Sequence, residues 1–226
     1  MSPPWRAVTF DCFGTLIDWR SGMERVLRQF PSLRGREEDL AAVLAAREVL
    51  EQEAQAGSFR NYAEILSDSL AGACRKVLGV ELTEAEKRAF AAGQPGWPAF
   101  PEAPEALGRL AAAIPVGLLS NCDAGTLRLC AEKHLAAPIH LFVSSEDVRS
   151  YKPAAAHWLR ALEILDARPE EVLHVSFSPF YDLLPARALG FALGFLPRYG
   201  TPQPAGFSFA AAGATLDELT DAVLTG

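Results

Sequence analysis

The stretch Phe10-Asp11-Cys12-Phe13-Gly14-Thr15-Leu16-Ile17-Asp18 decides how the rest of the sequence is interpreted. It follows the apolar run Ala7–Phe10, which is typical of a buried strand. Open α/β sheets place their reactive groups at the carboxyl ends of parallel strands, and Asp11 stands at such an end. The stretch therefore predicts a parallel sheet that carries an acidic group at its functional edge.

Four further apolar runs, separated by helical patterns, extend this prediction along the chain. Strands are expected at Pro115–Leu119, His140–Ser144, Val172–Ser176 and Phe191–Leu196. Helices are expected between them at Ala124–His134, Ala155–Leu165 and Asp182–Leu189. This alternation predicts the α/β class, with a doubly wound, Rossmann-type parallel sheet and right-handed crossovers.

The interval 18–97 has a different pattern, because it contains helical periodicity and no convincing strand. Helices are expected at Gly22–Gln29, Glu37–Ala56, Tyr62–Leu78 and Glu84–Ala91. Thr83 and Glu86 have the spacing of a capping box at the start of the last of these helices. We therefore predict an α/β core domain formed by residues 1–17 and 98–226. Residues 18–97 would form an all-helical cap domain inserted after the first strand.

Composition excludes several classes of protein. The chain has 226 residues, half of them apolar, and a formal net charge of −7, which argues against a nucleic-acid-binding surface. The sequence shows neither a signal peptide nor an apolar stretch long enough to cross a membrane. Its four cysteines form no C-x-x-C pair, so reduced thiols and a cytoplasmic location are expected.

Four segments end predicted strands or follow them closely, so they should converge on one crevice. They are Asp11–Thr15, Leu118–Asn121, Ser150–Pro153 and His174–Asp182. In content and order they resemble the four motifs of the haloacid dehalogenase (HAD) superfamily, specifically its 2-haloacid dehalogenase branch. Pro185–Phe191 and Ser145–Pro153 are also similar to that branch.

The resemblance implies a hydrolase that acts on a small anionic molecule. Asp11 would be the nucleophile that displaces halide from a short 2-haloacid and forms an ester, which water then hydrolyses to a 2-hydroxy acid. Lys152 would keep Asp11 ionised, and Asp182 would position or activate the water. These three residues are the predicted catalytic set.

The resemblance also implies a set of substrate contacts. Thr15, Ser120 and Asn121 offer hydroxyl and amide groups suited to orienting a carboxylate. From the cap, Arg47 is the first choice for binding the substrate carboxylate or the departing halide, with Arg60 and Arg20 as alternatives. The predicted substrate-binding residues are thus Thr15, Ser120, Asn121, Arg47, Ser178 and Phe13.

Phe13 and Ser178 separate two chemistries within the superfamily. Phosphatase members have a second aspartate where Phe13 stands, as an acid for the leaving alcohol, whereas departing halide needs no proton. They also have an aspartate where Ser178 stands, which completes a magnesium site. Asp11 and Asp182 alone are a lean ligand set for Mg²⁺, so we expect no metal and no cofactor.

Two alternatives stay open from the sequence. A phosphatase of the same fold would need Mg²⁺ and a substitute for the acid missing at Phe13. A non-catalytic relative would keep the fold for binding, and Cys122, Trp158 and Tyr181 depart from the branch pattern. Cys12 and Cys122 are expected to be small buried residues without a catalytic role. His157 is expected at a surface or on a helix face, and a homodimer fits the resemblance.

Overall fold

The computed structural model describes residues 4–225, which divide into two compact units. The first unit comprises the described residues up to Asp18 and from Ala99 onward, and the second comprises Trp19–Pro98. Within residues 4–225, no helix is both long enough and apolar enough to span a membrane.

The first unit contains a parallel sheet, which confirms the predicted α/β class. Between residues 4 and 225 the sheet has six strands in the order β3-β2-β1-β4-β5-β6. The strands are β1 (Ala7–Asp11), β2 (Val116–Ser120), β3 (Leu141–Ser144), β4 (Val172–Ser176), β5 (Ala192–Phe195) and β6 (Ala211–Ala212). The five predicted strands are confirmed, four of them with small shifts at their ends. The sixth strand was not predicted, because two residues cannot show a period.

The helices of the first unit agree with the prediction in part. They are α5 (Ala103–Ala111), α6 (Ala124–His134), α7 (Ser145–Val148), α8 (Ala156–Leu165), α9 (Leu184–Ala188) and α10 (Leu216–Thr225). The predicted continuous helix Asp182–Leu189 is wrong at its start, because Pro179–Leu183 forms a π-helical turn before α9. The prediction also lacked α5, in whose first turn Pro104 lies. A proline there lacks only an N–H that would have no partner within the helix.

The second unit is helical, as expected. Its helices are α1 (Trp19–Leu27), α2 (Leu40–Gln55), α3 (Tyr62–Leu78) and α4 (Glu84–Gly93). The capping box at the start of α4 is confirmed, since Glu86 N donates to Thr83 Oγ1 and Thr83 N donates to Glu86 Oε2. Glu86 also accepts hydrogen bonds from Ser32 N and Oγ, which ties the loop after α1 to α4.

Strand register places the polar groups of the first unit at one edge of the sheet. In the pairing of β1 with β4, Thr9 lies opposite His174, and in the pairing of β1 with β2, Asp11 lies opposite Leu119. Alternate residues of a strand point to the same face, so Thr9 and Asp11 share one face of β1. Asp11, the last residue of β1, therefore lies beside the end of β2, at the edge of the sheet where the loops after both strands begin.

Candidate active site

Asp11 is the last residue of β1, and its carboxylate is held by the loop that follows. Thr15 Oγ1 donates a hydrogen bond to Asp11 Oδ2 at 2.8 Å and accepts one from Phe177 N at 3.3 Å. The loop turns back sharply because Gly14 adopts a φ of 98°, a conformation that glycine tolerates and other residues rarely adopt. Only 6% of the Asp11 surface is exposed.

Lys152 lies between two carboxylates. Its Nζ donates to Asp11 Oδ1 at 2.8 Å, to Asp182 Oδ1 at 2.7 Å and to the carbonyl oxygen of Leu119 at 3.0 Å. The three ammonium hydrogens thus each have an acceptor. Because Lys152 is fully buried, its position is fixed by these acceptors and by the packing of its chain.

Asn121 holds the backbone of Lys152 through both ends of its amide. Asn121 Oδ1 accepts a hydrogen bond from Lys152 N at 2.7 Å, and Nδ2 donates to Lys152 O at 3.1 Å. These contacts position the lysine. The direct substrate contact predicted for Asn121 stays a prediction. The neighbouring Ser120 is buried, and its carbonyl oxygen lies 3.2 Å from His157 Nε2.

Asp182 lies in the π-helical turn after β4 and is surrounded by donors. In addition to Lys152, His174 Nε2 lies 3.1 Å from its Oδ1, and Ser176 Oγ donates to its Oδ2 at 3.1 Å. Ser178 Oγ accepts a hydrogen bond from Tyr181 N, so this predicted substrate residue caps the turn that carries Asp182. The first unit therefore brings the three predicted catalytic residues into one buried cluster.

His174 and Ser176 belong to the fourth predicted segment, His174–Asp182, but neither residue was predicted to have a role in the site. They are buried residues two positions apart on β4, so both side chains point to the face that carries Asp182. Two polar residues at alternate positions of an apolar strand are a signal that the sequence did contain.

The two carboxylates have opposite pKa shifts. Burial raises the pKa of Asp11 to about 6, although Lys152 and Thr15 oppose this shift. Burial would also raise the pKa of Asp182, but Lys152 and His174 outweigh it and lower that pKa to about 2. Burial alone would lower the pKa of Lys152, and the carboxylates of Asp11 and Asp182 raise it above its ordinary value. At neutral pH all three side chains are therefore charged.

The remaining residues of the predicted pocket are largely apolar or neutral. Phe13 is partly buried and forms a backbone bridge with Ile17 in the same loop. Cys12 and Cys122 are buried, as expected, and burial raises the pKa of both thiols. They are therefore uncharged.

His157 was expected at a surface or on a helix face. It lies on α8, as the second expectation has it, but the structure buries it completely, so the surface position is wrong. Burial and the charge of Lys152 lower its pKa to about 3, so the ring is neutral. The following residue, Trp158, is also fully buried, and its ring meets that of His174 edge-on at 5.5 Å between centroids.

Arg47 lies on α2 of the second unit, and only 2% of its surface is exposed. Its Nη2 pairs with Glu51 Oε2 at 2.8 Å, and its guanidinium lies 5.6 Å from the ring centroid of Trp19. Within residues 4–225, Arg47 Nε and Nη1 have no hydrogen-bond partner. The alternative Arg60 is more exposed and pairs with Glu64 and Asp68.

The ligand set for a metal is sparse. In the part of the chain from residue 4 to residue 225, no three His, Cys, Asp or Glu side chains are grouped so that they could hold a metal ion. Asp11 and Asp182 are the carboxylates of the cluster, and Lys152 supplies the positive charge between them.

Comparison with known proteins gives matches along nearly the whole chain. A family model described as haloacid dehalogenase-like hydrolase matches residues 5–190. The (S)-2-haloacid dehalogenase 1 of Pseudomonas sp. (strain CBS-3) is 28% identical over 222 residues, which are 96% of this chain and 95% of that protein. The (S)-2-haloacid dehalogenase of Xanthobacter autotrophicus is 28% identical over 196 residues, covering 85% and 75% of the two chains.

Solved structures also match the chain over nearly its whole length. The crystal structure of an L-2-haloacid dehalogenase has a TM-score of 0.83 and 27% identity and covers 99% of both chains. The L-2-haloacid dehalogenase of Xanthobacter autotrophicus with chloropropionic acid covalently bound has a TM-score of 0.82 at 21% identity, covering 96% of this chain and 97% of that one. At that identity the match shows the shared fold.

Proposed function

Because the chain belongs to the haloacid dehalogenase-like hydrolase family, we propose that it hydrolyses short 2-haloacids to 2-hydroxy acids and halide. The relatives that match most of its length are named as (S)-2-haloacid dehalogenases, which supports this substrate class. The reaction would pass through an ester on Asp11.

One observation carries the proposal. The buried carboxylate of Asp11 is held between Thr15 Oγ1 and Lys152 Nζ, each 2.8 Å away, and no acid stands at position 13. Only an ionised carboxylate is nucleophilic, and the contact with Lys152 favours the ionised form. Halide leaves as an anion, so no proton donor is required for its departure.

In the first step, an oxygen of Asp11 attacks the carbon that bears the halogen. A new carbon–oxygen bond forms, the carbon–halogen bond breaks, and halide departs with the bonding electron pair. Fixed orientation of the nucleophile by Thr15 and Lys152 lowers the entropic part of this barrier. The two-step route replaces a direct attack by water on the same carbon.

In the second step, water attacks the carbonyl carbon of the Asp11 ester. The bond between that carbon and the ester oxygen breaks, so the product hydroxyl keeps an oxygen of Asp11 and the carboxylate gains the oxygen of water. One proton of the water goes to the product hydroxyl, and the other leaves as H⁺. Asp182 is the proposed residue for holding this water, because it is the other carboxylate bound to Lys152.

We further propose that the reaction is independent of metal and cofactor. The support is the sparse ligand set around Asp11 and Asp182 and the presence of the Lys152 ammonium between them. Three further assignments also stay proposals. Residues 18–97 would form a cap, and Arg47 would bind the substrate carboxylate or the halide. The protein would be a cytoplasmic homodimer. For Arg47, the buried and unpaired Nε and Nη1 are donors that an anion would satisfy.

The test is a screen for halide release with an ion-selective electrode. Chelator-treated enzyme is incubated with 2-chloropropionate of each hand, chloroacetate and fluoroacetate, beside the Asp11→Asn variant. We expect release by the wild-type enzyme from at least one acid and none by the variant. A single turnover in H₂¹⁸O should then place the label in Asp11, as mass spectrometry of its peptide would show.

Three outcomes would contradict the proposal. The absence of halide release across the panel would reject the substrate class, and label in the product hydroxyl in place of Asp11 would reject the ester. Magnesium-dependent hydrolysis of p-nitrophenyl phosphate without halide release would favour the phosphatase alternative.

A further inference from the structure

A buried chain of hydrogen bonds begins at Asp182 Oδ1, the carboxylate oxygen that also accepts from Lys152 Nζ. His174 Nε2 lies 3.1 Å from Asp182 Oδ1, and His174 Nδ1 lies 2.9 Å from Thr9 Oγ1. Thr9 and His174 are opposite one another in the pairing of β1 with β4, so the sheet itself sets this contact. All three side chains are buried.

The partners of His174 fix its tautomer. An ionised carboxylate only accepts hydrogen bonds, so Nε2 carries the hydrogen and donates it to Asp182. Nδ1 is then an acceptor in the neutral ring, and the Thr9 hydroxyl donates to it. The carbonyl oxygen of Leu173 is the other acceptor near Thr9, but it lies farther away, at 3.5 Å.

The charges around His174 agree with a neutral ring. Burial lowers its pKa and the charge of Lys152 adds to this effect, while Asp182 opposes it. A neutral donor leaves the charge of Asp182 in place, so the carboxylate stays available to Lys152 and to a water molecule. The hydrogen bonds run from Asp182 through His174 to Thr9, which is buried in the sheet, so they hold Asp182 in place.

We propose that His174 is a positioning residue for the second step of the reaction, because its Nε2–H fixes the Asp182 carboxylate toward the hydrolytic water. The inference rests on the proposed function, since it assigns Asp182 to that step. Lys152 donates directly to Asp11 and serves both steps, whereas the hydrogen bond of His174 goes to Asp182. Loss of the His174 donor should therefore slow ester hydrolysis more than ester formation.

Two substitutions separate the hydrogen bond from simple packing. His174→Gln keeps an N–H donor near the position of Nε2 but loses the ring. His174→Phe keeps a ring against Trp158, which His174 meets edge-on at 5.5 Å between ring centroids, but loses the donor. A role in positioning predicts that Gln is the better replacement, and a role in packing alone predicts that Phe is.

The experiment follows both steps in the same sample. Rapid-quench measurement of halide gives the rate of ester formation, and mass spectrometry of the intact protein gives the fraction of enzyme carrying the ester. For His174→Phe we expect ester formation within about threefold of wild type and ester hydrolysis slower by about 10- to 100-fold, as for a lost hydrogen bond to a charged group. A burst of one halide per enzyme and accumulated ester should result.

The controls distinguish this inference from the proposed function. If the wild-type enzyme neither releases halide nor forms an ester, the proposed function fails. If the wild-type enzyme turns over and His174→Phe hydrolyses its ester at the wild-type rate while His174→Gln is slow, the inference about His174 fails. Equal slowing of both steps in both variants would also overturn it, since that pattern indicates a structural role.

Discussion

Replacement of Lys152 by methionine tests the charge balance of the site directly. The substitution keeps an unbranched chain of similar length but removes the ammonium that lies 2.8 Å from Asp11 and 2.7 Å from Asp182. Two carboxylates would then share a buried site with no cation between them. Because like charges at short range disfavour double ionisation, the pKa of Asp11 should rise further.

The size of the change can be worked from the distance. Two unit charges 2.8 Å apart interact by about 6 kcal/mol at an effective dielectric constant of 20. If water entering the site recovers half of this energy, about 3 kcal/mol remains, which raises a pKa by about 2 units at 1.36 kcal/mol per unit. The pKa of Asp11 would then move from about 6 to roughly 8.

This shift predicts the ratio of the rates of ester formation at two pH values in the same variant. A loss of activity that is equal at both pH values does not change that ratio. At pH 7 about 90% of wild-type Asp11 is ionised, but only about 10% in the Lys152→Met variant. The single-turnover rate of ester formation should therefore rise about eight- to tenfold between pH 7 and pH 9 in the variant, and by little in the wild type. The assay is rapid-quench measurement of halide at each pH. The unfolding temperature is recorded beside it, because breaking a buried pair costs about 3–5 kcal/mol.

Lys133→Met is the matched control, since it removes an exposed lysine of the same unit and should leave the profile unchanged. Lys152→Arg keeps a cation and should keep its acid limb nearer to that of the wild type than Lys152→Met does. A Lys152→Met variant that folds, stays active and has an acid limb near pH 6 would refute the reasoning. In that case Lys152 would not be the group that keeps Asp11 ionised.

Three further expectations follow from the same structure. In wild-type enzyme the rate of ester formation should be half-maximal near pH 6 and fall about tenfold per unit below it, because protonation removes the nucleophile Asp11; a profile flat down to pH 4 would contradict this. Glu51→Gln should destabilise the protein by about 3–5 kcal/mol, because it leaves the buried guanidinium of Arg47 without its carboxylate. Chemical denaturation measures this loss, with Glu53→Gln, at an exposed position, as the control. Thr83→Ala should cost about 1 kcal/mol by removing the cap of α4, and an unchanged denaturation midpoint would argue against that cap.

Periodicity in the sequence predicted the five longer strands of the sheet, but it did not predict the short last strand, the last helix or the turn that carries Asp182. The runs that became β1 and β4 are buried on both faces, so nearly every residue in them is apolar or small and the signal is strong. The two-residue β6, which follows a loop rich in proline and glycine, is too short to show a period, and the ten-residue helix α10 after it was not predicted. At Asp182 the sequence carries a helical period, but the backbone forms a π-helical turn that Ser178 caps.

For the candidate site, the sequence predicted which residues take part but not all of the contacts between them. The motifs indicated Asp11, Lys152 and Asp182, and the structure places both carboxylates within hydrogen-bonding distance of the Lys152 ammonium. The sequence could not show that Asn121 binds the backbone of Lys152, because that contact joins two loops after different strands. The contact between His174 and Thr9 could not be predicted for a related reason, since it depends on the register between β1 and β4.

The opposite pKa shifts of the two carboxylates suit two different tasks. A pKa of about 6 makes Asp11 the more basic carboxylate while it is still ionised at neutral pH, which favours nucleophilic attack. A pKa of about 2 makes Asp182 a weak base, so its contribution is better explained by orienting water than by taking a proton from it. Formation of the ester removes the charge of Asp11, and Lys152 then has Asp182 as its remaining anionic partner. In the proposed mechanism, the donors His174 and Ser176 keep the Asp182 carboxylate in place during this interval, so the water step depends on both of them.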